Sequence, residues 1–300
     1  MLAIVIPFYK LTFFEETLKS LVEQRNQQFN VYIGNDASPE NPETLLNKYS
    51  LKLNIIYKKF ETNLGSSSLV KQWDRCIDLI EDEEWIMILG DDDYLEKTVV
   101  ESWYKHFNLF QNKSNVIRFS TISKNEMKNT FTEPSKHPTW ENGIDSYYRR
   151  YKKEIRSTLS EYIFSFEVYN KYGIYDYPLA WHSDDRMWID FSKDKKIFSI
   201  NESKVIVRTS LINISGKTDN ITLKNKASIL FYCYLIKEKI VSLKNNQKLE
   251  LLMTYETLIK KNRKLTFSEW KLLFNLYINN KKLLPIIKFF RRFLISFYRQ

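Results

Sequence analysis

The stretch Trp85-Ile86-Met87-Ile88-Leu89-Gly90-Asp91-Asp92-Asp93 decides how this chain reads. Its first five residues are large and apolar, and the run stops at a glycine. That pattern predicts a short buried strand over 85–89. Three adjacent carboxylates where such a strand ends are costly. At about 5 Å and an effective dielectric of about 20, each like-charged pair repels by roughly 3 kcal/mol. A divalent cation held by oxygen would offset that cost, and Mg²⁺ commonly binds through one or two carboxylates plus substrate phosphates. Ligands of open α/β sheets also bind beyond the carboxyl ends of the strands. The plain alternative is a solvated acidic turn, so the segments around the triplet have to separate the two.

Outward from the triplet, the first 120 residues alternate strand and helix patterns. Strands are expected over 2–8, 31–34, 53–60, 85–89 and 116–119. Thr12 and Glu15 have capping-box spacing for a helix running to about Gln24. Asn41 before Pro42 suits an N-cap and first helical position. A helix over 66–80 gathers Leu69, Trp73, Cys76, Ile77 and Ile80 on one face, and another is expected over 98–110. Repeated βα units imply a mostly parallel sheet with helices on both faces. Between 121 and 151 the pattern breaks at Pro134, Pro138 and Gly143, which predicts loops and a short helix. A strand over 162–166 leads into a helix ending near Gly173. A further helix starts at Ser183 or Asp184, and 197–207 is extended. After about Asn220 the composition turns to Leu, Ile, Phe, Lys and Asn at helical spacing. The boundary is therefore set at 219/220, dividing a first domain (1–219) from a helical, basic region (220–300).

Bulk properties exclude several classes. Three hundred residues can bury a full core without staples. Cys76 and Cys233 are far apart and form neither a disulfide framework nor a metal-ligand spacing. His106, His137 and His182 are scattered, which argues against zinc. No charged segment followed by a long apolar one opens the chain, and no uncharged apolar stretch is long enough to span a bilayer. A cytoplasmic location is expected. The net charge of +10 suits phosphate-bearing substrates, an anionic membrane or nucleic acid, without choosing among them. There is no G-x-G-x-x-G and no G-x-x-x-x-G-K-[ST] motif, so a nucleotide would need another kind of cradle.

The ends of the other expected strands supply such a cradle. Pro7-Phe8-Tyr9 closes the first, Asn35-Asp36-Ala37-Ser38 the second, and Asn63-Leu64-Gly65-Ser66 follows the third. Together with Ile4-Val5-Ile6 before Pro7, Ile33-Gly34 before Asn35 and Leu89-Gly90 before the triplet, these motifs resemble the family 2 glycosyltransferases over about residues 1–215. The resemblance implies a GT-A-type α/β fold, a mostly parallel sheet flanked by helices, here with a C-terminal helical extension. Residues 1–120 would bind the nucleotide sugar, and 121–219 would hold the acceptor side and the catalytic base. It further implies a UDP- or GDP-sugar donor, Mg²⁺ or Mn²⁺ as cofactor, and a carbohydrate or lipid-linked acceptor in surface polysaccharide or glycolipid synthesis. By position, Asp36 corresponds to the base contact, Asp91 to the ribose contact, and Asp92 with Asp93 to the metal-binding acids. Pro7, Tyr9, Asn63, Gly65 and Lys71 complete the donor side. This chain departs from the family at Gly90, where many members carry an aspartate.

A second block, Ala180-Trp181-His182-Ser183-Asp184-Asp185-Arg186, is similar to the acidic pair that opens a helix in this family, and implies the base at Asp184 or Asp185. Without the resemblance both would read as helix N-terminal acids favoured by the macrodipole. Arg208 in Val207-Arg208-Thr209-Ser210, with Asn213-Ile214-Ser215-Gly216, corresponds to the stretch that closes over the diphosphate. One carboxylate base acting opposite the leaving group implies a single displacement with inversion.

Two other readings compete. A sugar-phosphate nucleotidyltransferase shares the sheet and the metal but wants a glycine-rich loop where Pro7-Phe8-Tyr9-Lys10 stands. A non-enzymatic binder of anionic surfaces explains the tail and leaves the triplet unexplained. From Lys260 onward the chain carries eleven Lys or Arg and one Glu, interleaved with apolar residues. Such a segment either lies on an anionic membrane, here the inner face of the cell membrane, or packs on the protein and solvates its basic face. Pro285 is expected to break it in two. Nucleic acid is not an expected partner.

Overall fold

The structure is a computed structural model that describes residues 1–210, 220–280 and 282–298. The chain divides into two compact units, Met1–Asp219 and Asn220–Gln300. The first unit is built from β1 (Leu2–Phe8), α1 (Phe14–Val22), β2 (Phe29–Asn35), α2 (Glu43–Tyr49), β3 (Ile55–Lys59), α3 (Leu69–Ile77), β4 (Trp85–Ile88), β5 (Tyr94–Leu95) and α4 (Val99–Phe110). It continues through β6 (Val116–Asn125), β7 (Thr130–Phe131), β8 (Trp140–Glu141), α5 (Gly143–Tyr151), β9 (Tyr162–Ser165), α6 (Phe166–Tyr172), α7 (Ser183–Phe191) and β10 (Ile197–Thr209).

The strands form one sheet in the order β3-β2-β1-β4-β9-β6-β10-β5, with β7 on β6 and β8 on β10. The strands β3, β2, β1 and β4 run parallel, and β6 is parallel to β10. β9 is antiparallel to both β4 and β6, and the short β5, β7 and β8 also pair antiparallel, so the sheet is mixed where a mostly parallel one was expected. The GT-A α/β fold expected from sequence is present. Strand periodicity puts alternate residues on opposite faces. Leu2, Ile4, Ile6 and Phe8 of β1 enter one core with Phe14 and Leu18 of α1 and Trp103 of α4. Ala3 and Val5 enter the other, with Cys76 of α3, Val168 of α6, and Trp188 and Phe191 of α7. Each such fully buried large side chain contributes roughly 1.5–3 kcal/mol.

Several local expectations are corrected. The helix after β1 starts at Phe14, with Phe13 at its N-cap and no side-chain cap, so Thr12 and Glu15 do not form a capping box. Pro42 is the N-cap of α2, and Asn41 acts one residue earlier, its Oδ1 accepting the Glu43 N–H at 3.0 Å. The helix expected over 66–80 is shortened to α3, capped by Ser68, whose Oγ accepts the Lys71 N–H. Residues 121–125, expected as loop, prolong β6 because Val205–Thr209 of β10 supplies a parallel partner beyond a bulge.

The second unit contains α8 (Ile221–Tyr234), α9 (Asn245–Asn262), α10 (Phe267–Asn279) and α11 (Leu283–Tyr298). Pro285 breaks nothing. It lies in the first turn of α11, where its missing N–H would have had no intrahelical partner. Among the described residues no helix is long and apolar enough to cross a membrane. The expected diphosphate stretch 213–216 lies outside the described residues.

Candidate active site

Parallel register brings three strand ends to one edge. Phe8 pairs with Asn35 and Val5 with Ile88, so Tyr9, Asp36 and the triplet emerge side by side. They border a cavity of about 570 Å³ that Pro7, Tyr9, Asp36, Asn63, Gly65 and Asp91–Asp93 all line. Of the donor-side residues expected from sequence, two do not line it: Arg208, which borders the neighbouring cavity, and Lys71. Lys71 sits on the exposed flank of α3, and its helix neighbours Gln72 and Leu69 face the cavity instead.

Asp36 is buried and its carboxylate is already well bonded. Oδ1 accepts the Leu64 N–H at 2.7 Å, Oδ2 accepts the Gly65 N–H at 2.9 Å, and Arg75 pairs with Oδ1. Burial pushes its carboxyl up, against the pull of those donors. Gly65 is required by this contact, because a Cβ there would lie 2.5 Å from Oδ2 of Asp36. The Arg75 guanidinium is in turn stacked 4.0 Å from the Phe60 ring centre. One lone pair of Oδ2 is left for a ligand donor.

The triplet divides its labour. Asp91 Oδ2 accepts the backbone N–H groups of Tyr9 at 2.8 Å and Lys10 at 2.9 Å, tying β4 to β1. Asp93 is buried; its Oδ1 accepts the Arg208 N–H at 2.8 Å and its Oδ2 the Ser160 hydroxyl at 2.5 Å. The Thr17 hydroxyl donates to the Asp93 carbonyl at 2.8 Å and holds the turn from below. The Asp92 carboxylate accepts no hydrogen bond from the side chain or backbone of another described residue, and it lines both this cavity and a larger neighbour. All three carboxyls are raised. Burial pushes Asp91 up to about 6 and also raises Asp92; burial and the Asp92 charge push Asp93 up to about 7.

The neighbouring cavity, of about 1150 Å³, is lined by Asp92, Asp184, His182, Trp181 and a row of hydroxyls including Thr121, Ser123, Thr132 and Ser135. Its floor at the start of α7 is strained. Leu179, Ala180 and His182 all have left-handed backbones, with φ of 60°, 52° and 73°. Non-glycine residues seldom adopt this region, and such strain clusters at functional sites. Asp185 is locked: Oδ2 accepts from Arg150 Nη1 and pairs with His182 Nδ1, each at 2.7 Å. Burial alone would raise its carboxyl, but Arg150 and His182 hold it below the usual range. Asp184 faces the cavity. Burial and the Asp185 charge push its carboxyl up to about 7, against Arg150 and two backbone N–H groups at the helix start.

Arg208 does not behave as expected from the sequence. Only 1% of it is exposed. Its guanidinium pairs with Glu16 and Glu126, its Nε donates to the Asp92 carbonyl at 2.7 Å, and it lies 4.1 Å from the Phe13 ring centre. Two carboxylates and an aromatic face have claimed the side chain that was expected on the diphosphate. Arg156 lies over the same cavity and pairs with no carboxylate among the described residues. It donates only to the hydroxyl oxygens of Ser123 and Thr209, and its field lowers the Asp93 carboxyl. Sequence reasoning missed Arg156, Arg150, His182 and Ser160. Only Ser160 had a nearby signal, the Thr158-x-x-Glu161 capping box that builds its turn.

Among the described residues no group of three or more His, Cys, Asp or Glu is gathered to hold a metal by itself. The donor set does suit a hard cation completed by phosphate oxygens, because Asp92 is an uncommitted carboxylate between two cavities.

Comparison with known proteins bears on the family and the fold. A family model described as glycosyl transferase family 2 matches residues 3–175. The S. aureus TarS 1-349 structure in complex with UDP-GlcNAc is similar over 93% of this chain and 80% of that one, at 16% identity and a TM-score of 0.66. The TarS 1-349 complex with UDP gives a TM-score of 0.62 at 16% identity, covering 92% of this chain and 78% of that one. The longer TarS structure gives 0.63 at 15% identity, covering 95% of this chain and 50% of that one. At such identities the likeness is one of fold. No curated protein matches.

Proposed function

Since the chain belongs to glycosyl transferase family 2, and so is a glycosyltransferase, we propose that it moves a sugar from a UDP- or GDP-sugar to a hydroxyl of a carbohydrate or lipid-linked acceptor, with inversion. The observation that carries this reading is the position of Asp92 on the wall shared by two cavities, with Asp184 lining the second. The first cavity is the donor site. There Asp36 has an oxygen lone pair for a base edge, and Asp91, fixed by Tyr9 and Lys10, turns its other oxygen to a ribose hydroxyl. The second cavity is the acceptor site, whose hydroxyl side chains and Trp181 suit the polar edges and apolar faces of a sugar.

Asp92 would hold Mg²⁺ or Mn²⁺, with Asp93 fixing the turn beside it. The bound ion supplies Lewis-acid stabilisation of charge on the leaving diphosphate. Arg156 adds a second positive charge at that place, in the role expected of Arg208. Asp184 takes the proton of the acceptor hydroxyl as that oxygen attacks the anomeric carbon and the sugar–phosphate bond breaks. A carboxyl raised to about 7 is well matched to that task near neutral pH. Asp185, held by Arg150 and His182, orients the helix start and keeps Asp184 basic through its charge. Attack opposite the diphosphate in a single displacement inverts the anomeric centre. A product in surface polysaccharide or glycolipid synthesis follows from such an acceptor.

The test is a panel of UDP- and GDP-sugars with Mn²⁺ or with EDTA. One donor should be consumed only with metal, giving a product of inverted anomeric configuration by NMR. Pyrophosphate formation from a nucleoside triphosphate, with no sugar transfer, would overturn the reading.

A further inference from the structure

We propose that the outer face of α11 docks this protein on an anionic lipid bilayer. The inner face of α11 is fully used. Phe289 is buried, with ring centres 5.4 Å from Trp270 and 5.0 Å from Tyr277, and Arg292 holds Glu256 with two hydrogen bonds of 2.7 and 2.8 Å. The opposite face is apolar and open. Leu283, Leu284, Ile287, Phe290, Leu294 and Ile295 are all exposed, from 40% at Ile295 to 73% at Leu283. At 100° per residue they occupy one arc of roughly 140°. Arg291 falls within that arc and Lys288 at its border, and both are exposed. No Asp or Glu follows Glu269 in the sequence. The apolar surface also continues off the helix, since Phe267, 79% exposed, and Lys264 line a cavity of about 650 Å³ with Ile295.

An open apolar stripe of this size needs an occupant. Charge selects it. Cations within and beside the stripe, with no acid to answer them, match the phosphate surface of an anionic membrane. A second copy is a poorer match, because a two-fold pairing of this face would bury Arg291 and Lys288 of both copies against a surface that offers them no acid. At 16 residues α11 is too short to span, so it would lie in the interface plane with its apolar arc among the acyl chains. The sugar-transfer reading and this one stand on different residues.

The experiment is flotation of the full chain with phosphatidylcholine vesicles, with and without phosphatidylglycerol. Binding is expected to require phosphatidylglycerol and to weaken as salt rises. Replacing Lys288 and Arg291 by Gln should weaken it about 30-fold. The pair Ile287→Glu and Leu294→Glu should weaken it by more than about 100-fold. Donor hydrolysis in solution should be unchanged in both. Since all four side chains are exposed, circular dichroism should match the unaltered protein; should the acidic pair misfold, the Gln pair still decides. Failure to float with phosphatidylglycerol vesicles, or flotation equal in the variants, would overturn the proposal. So would a dimer that the Glu pair dissociates in a chain that ignores vesicles.

Discussion

The two acidic clusters, Asp91–Asp93 after β4 and Asp184–Asp185 at the start of α7, solve the same electrostatic problem differently. In the pair the protein supplies its own cation. Arg150 and His182 take Asp185, whose carboxyl is held low, and Asp184 is left raised to about 7. In the triplet the restraints on Asp91 and Asp93 are backbone N–H groups and one hydroxyl, and all three carboxyls stay raised. Arg208 is near, yet its guanidinium is spent on Glu16 and Glu126. A cluster with its own cation is set up to accept a proton. In the triplet no described cationic side chain bonds a carboxylate, and Arg156, whose field lowers Asp93, bonds only hydroxyls, so the cluster is set up to receive further positive charge. The proposed roles, base chemistry for the first and metal with diphosphate for the second, rest on this contrast.

The largest effect that could break this contrast is at Asp92. Asp92→Ala should lower sugar transfer by roughly 10⁴-fold and abolish its metal dependence. Transfer within a few fold of normal would move the ion elsewhere. Next is Asp184→Asn, expected to cost about 10³-fold in kcat with donor affinity changed less than about twofold. Activity of the unaltered enzyme should rise with pH through about 7, because the base works only when deprotonated, and this limb should vanish in Asp184→Asn. A limb that persists would assign it to another group.

Two smaller effects sharpen the picture. Arg156→Ala should weaken binding of the nucleoside diphosphate about tenfold and leave the melting temperature unchanged. Arg208→Ala should do the reverse, lowering the melting temperature by several degrees as Glu16, Glu126 and the Asp92 carbonyl lose their donor. Equal effects at the two arginines would erase the distinction drawn between them. Smallest is Glu161, fully buried with one oxygen unpartnered and its carboxyl pushed up by burial to about 8. Its folded value lies above the unfolded one, so the folded state binds the extra proton and loses stability as pH rises from about 4.5 towards 8. Glu161→Gln should flatten that slope and raise the melting temperature at pH near 7.5 by about 2–4 °C.

Much of the sheet could be read directly, because β1 and β4 are short uninterrupted apolar runs, and β2 holds the apolar stretch Val31-Tyr32-Ile33 before the turn residues Gly34 and Asn35. The direction of β9 could not, since the pattern Tyr162-Ile163-Phe164 is the same whichever way a strand runs. Two-residue strands such as β5 and β8 carry no periodicity at all. At the site, the acids were legible because like charges crowd in sequence. Their partners were not, because they come from afar: Ser160 reaches Asp93 across 67 residues, and Arg75 reaches Asp36 across 39. The expectation for Arg208 failed for the same reason. A basic residue in a polar stretch looks free until Glu16, 192 residues earlier, is folded against it.

The most direct measurement is calorimetric titration of a nucleotide sugar into the full chain, with Mn²⁺ present or chelated, for the unaltered protein, Asp92→Ala and Asp184→Asn. The account predicts tight binding only with metal, lost in Asp92→Ala and retained in Asp184→Asn. Binding that ignores the metal, or that survives in Asp92→Ala, would contradict it.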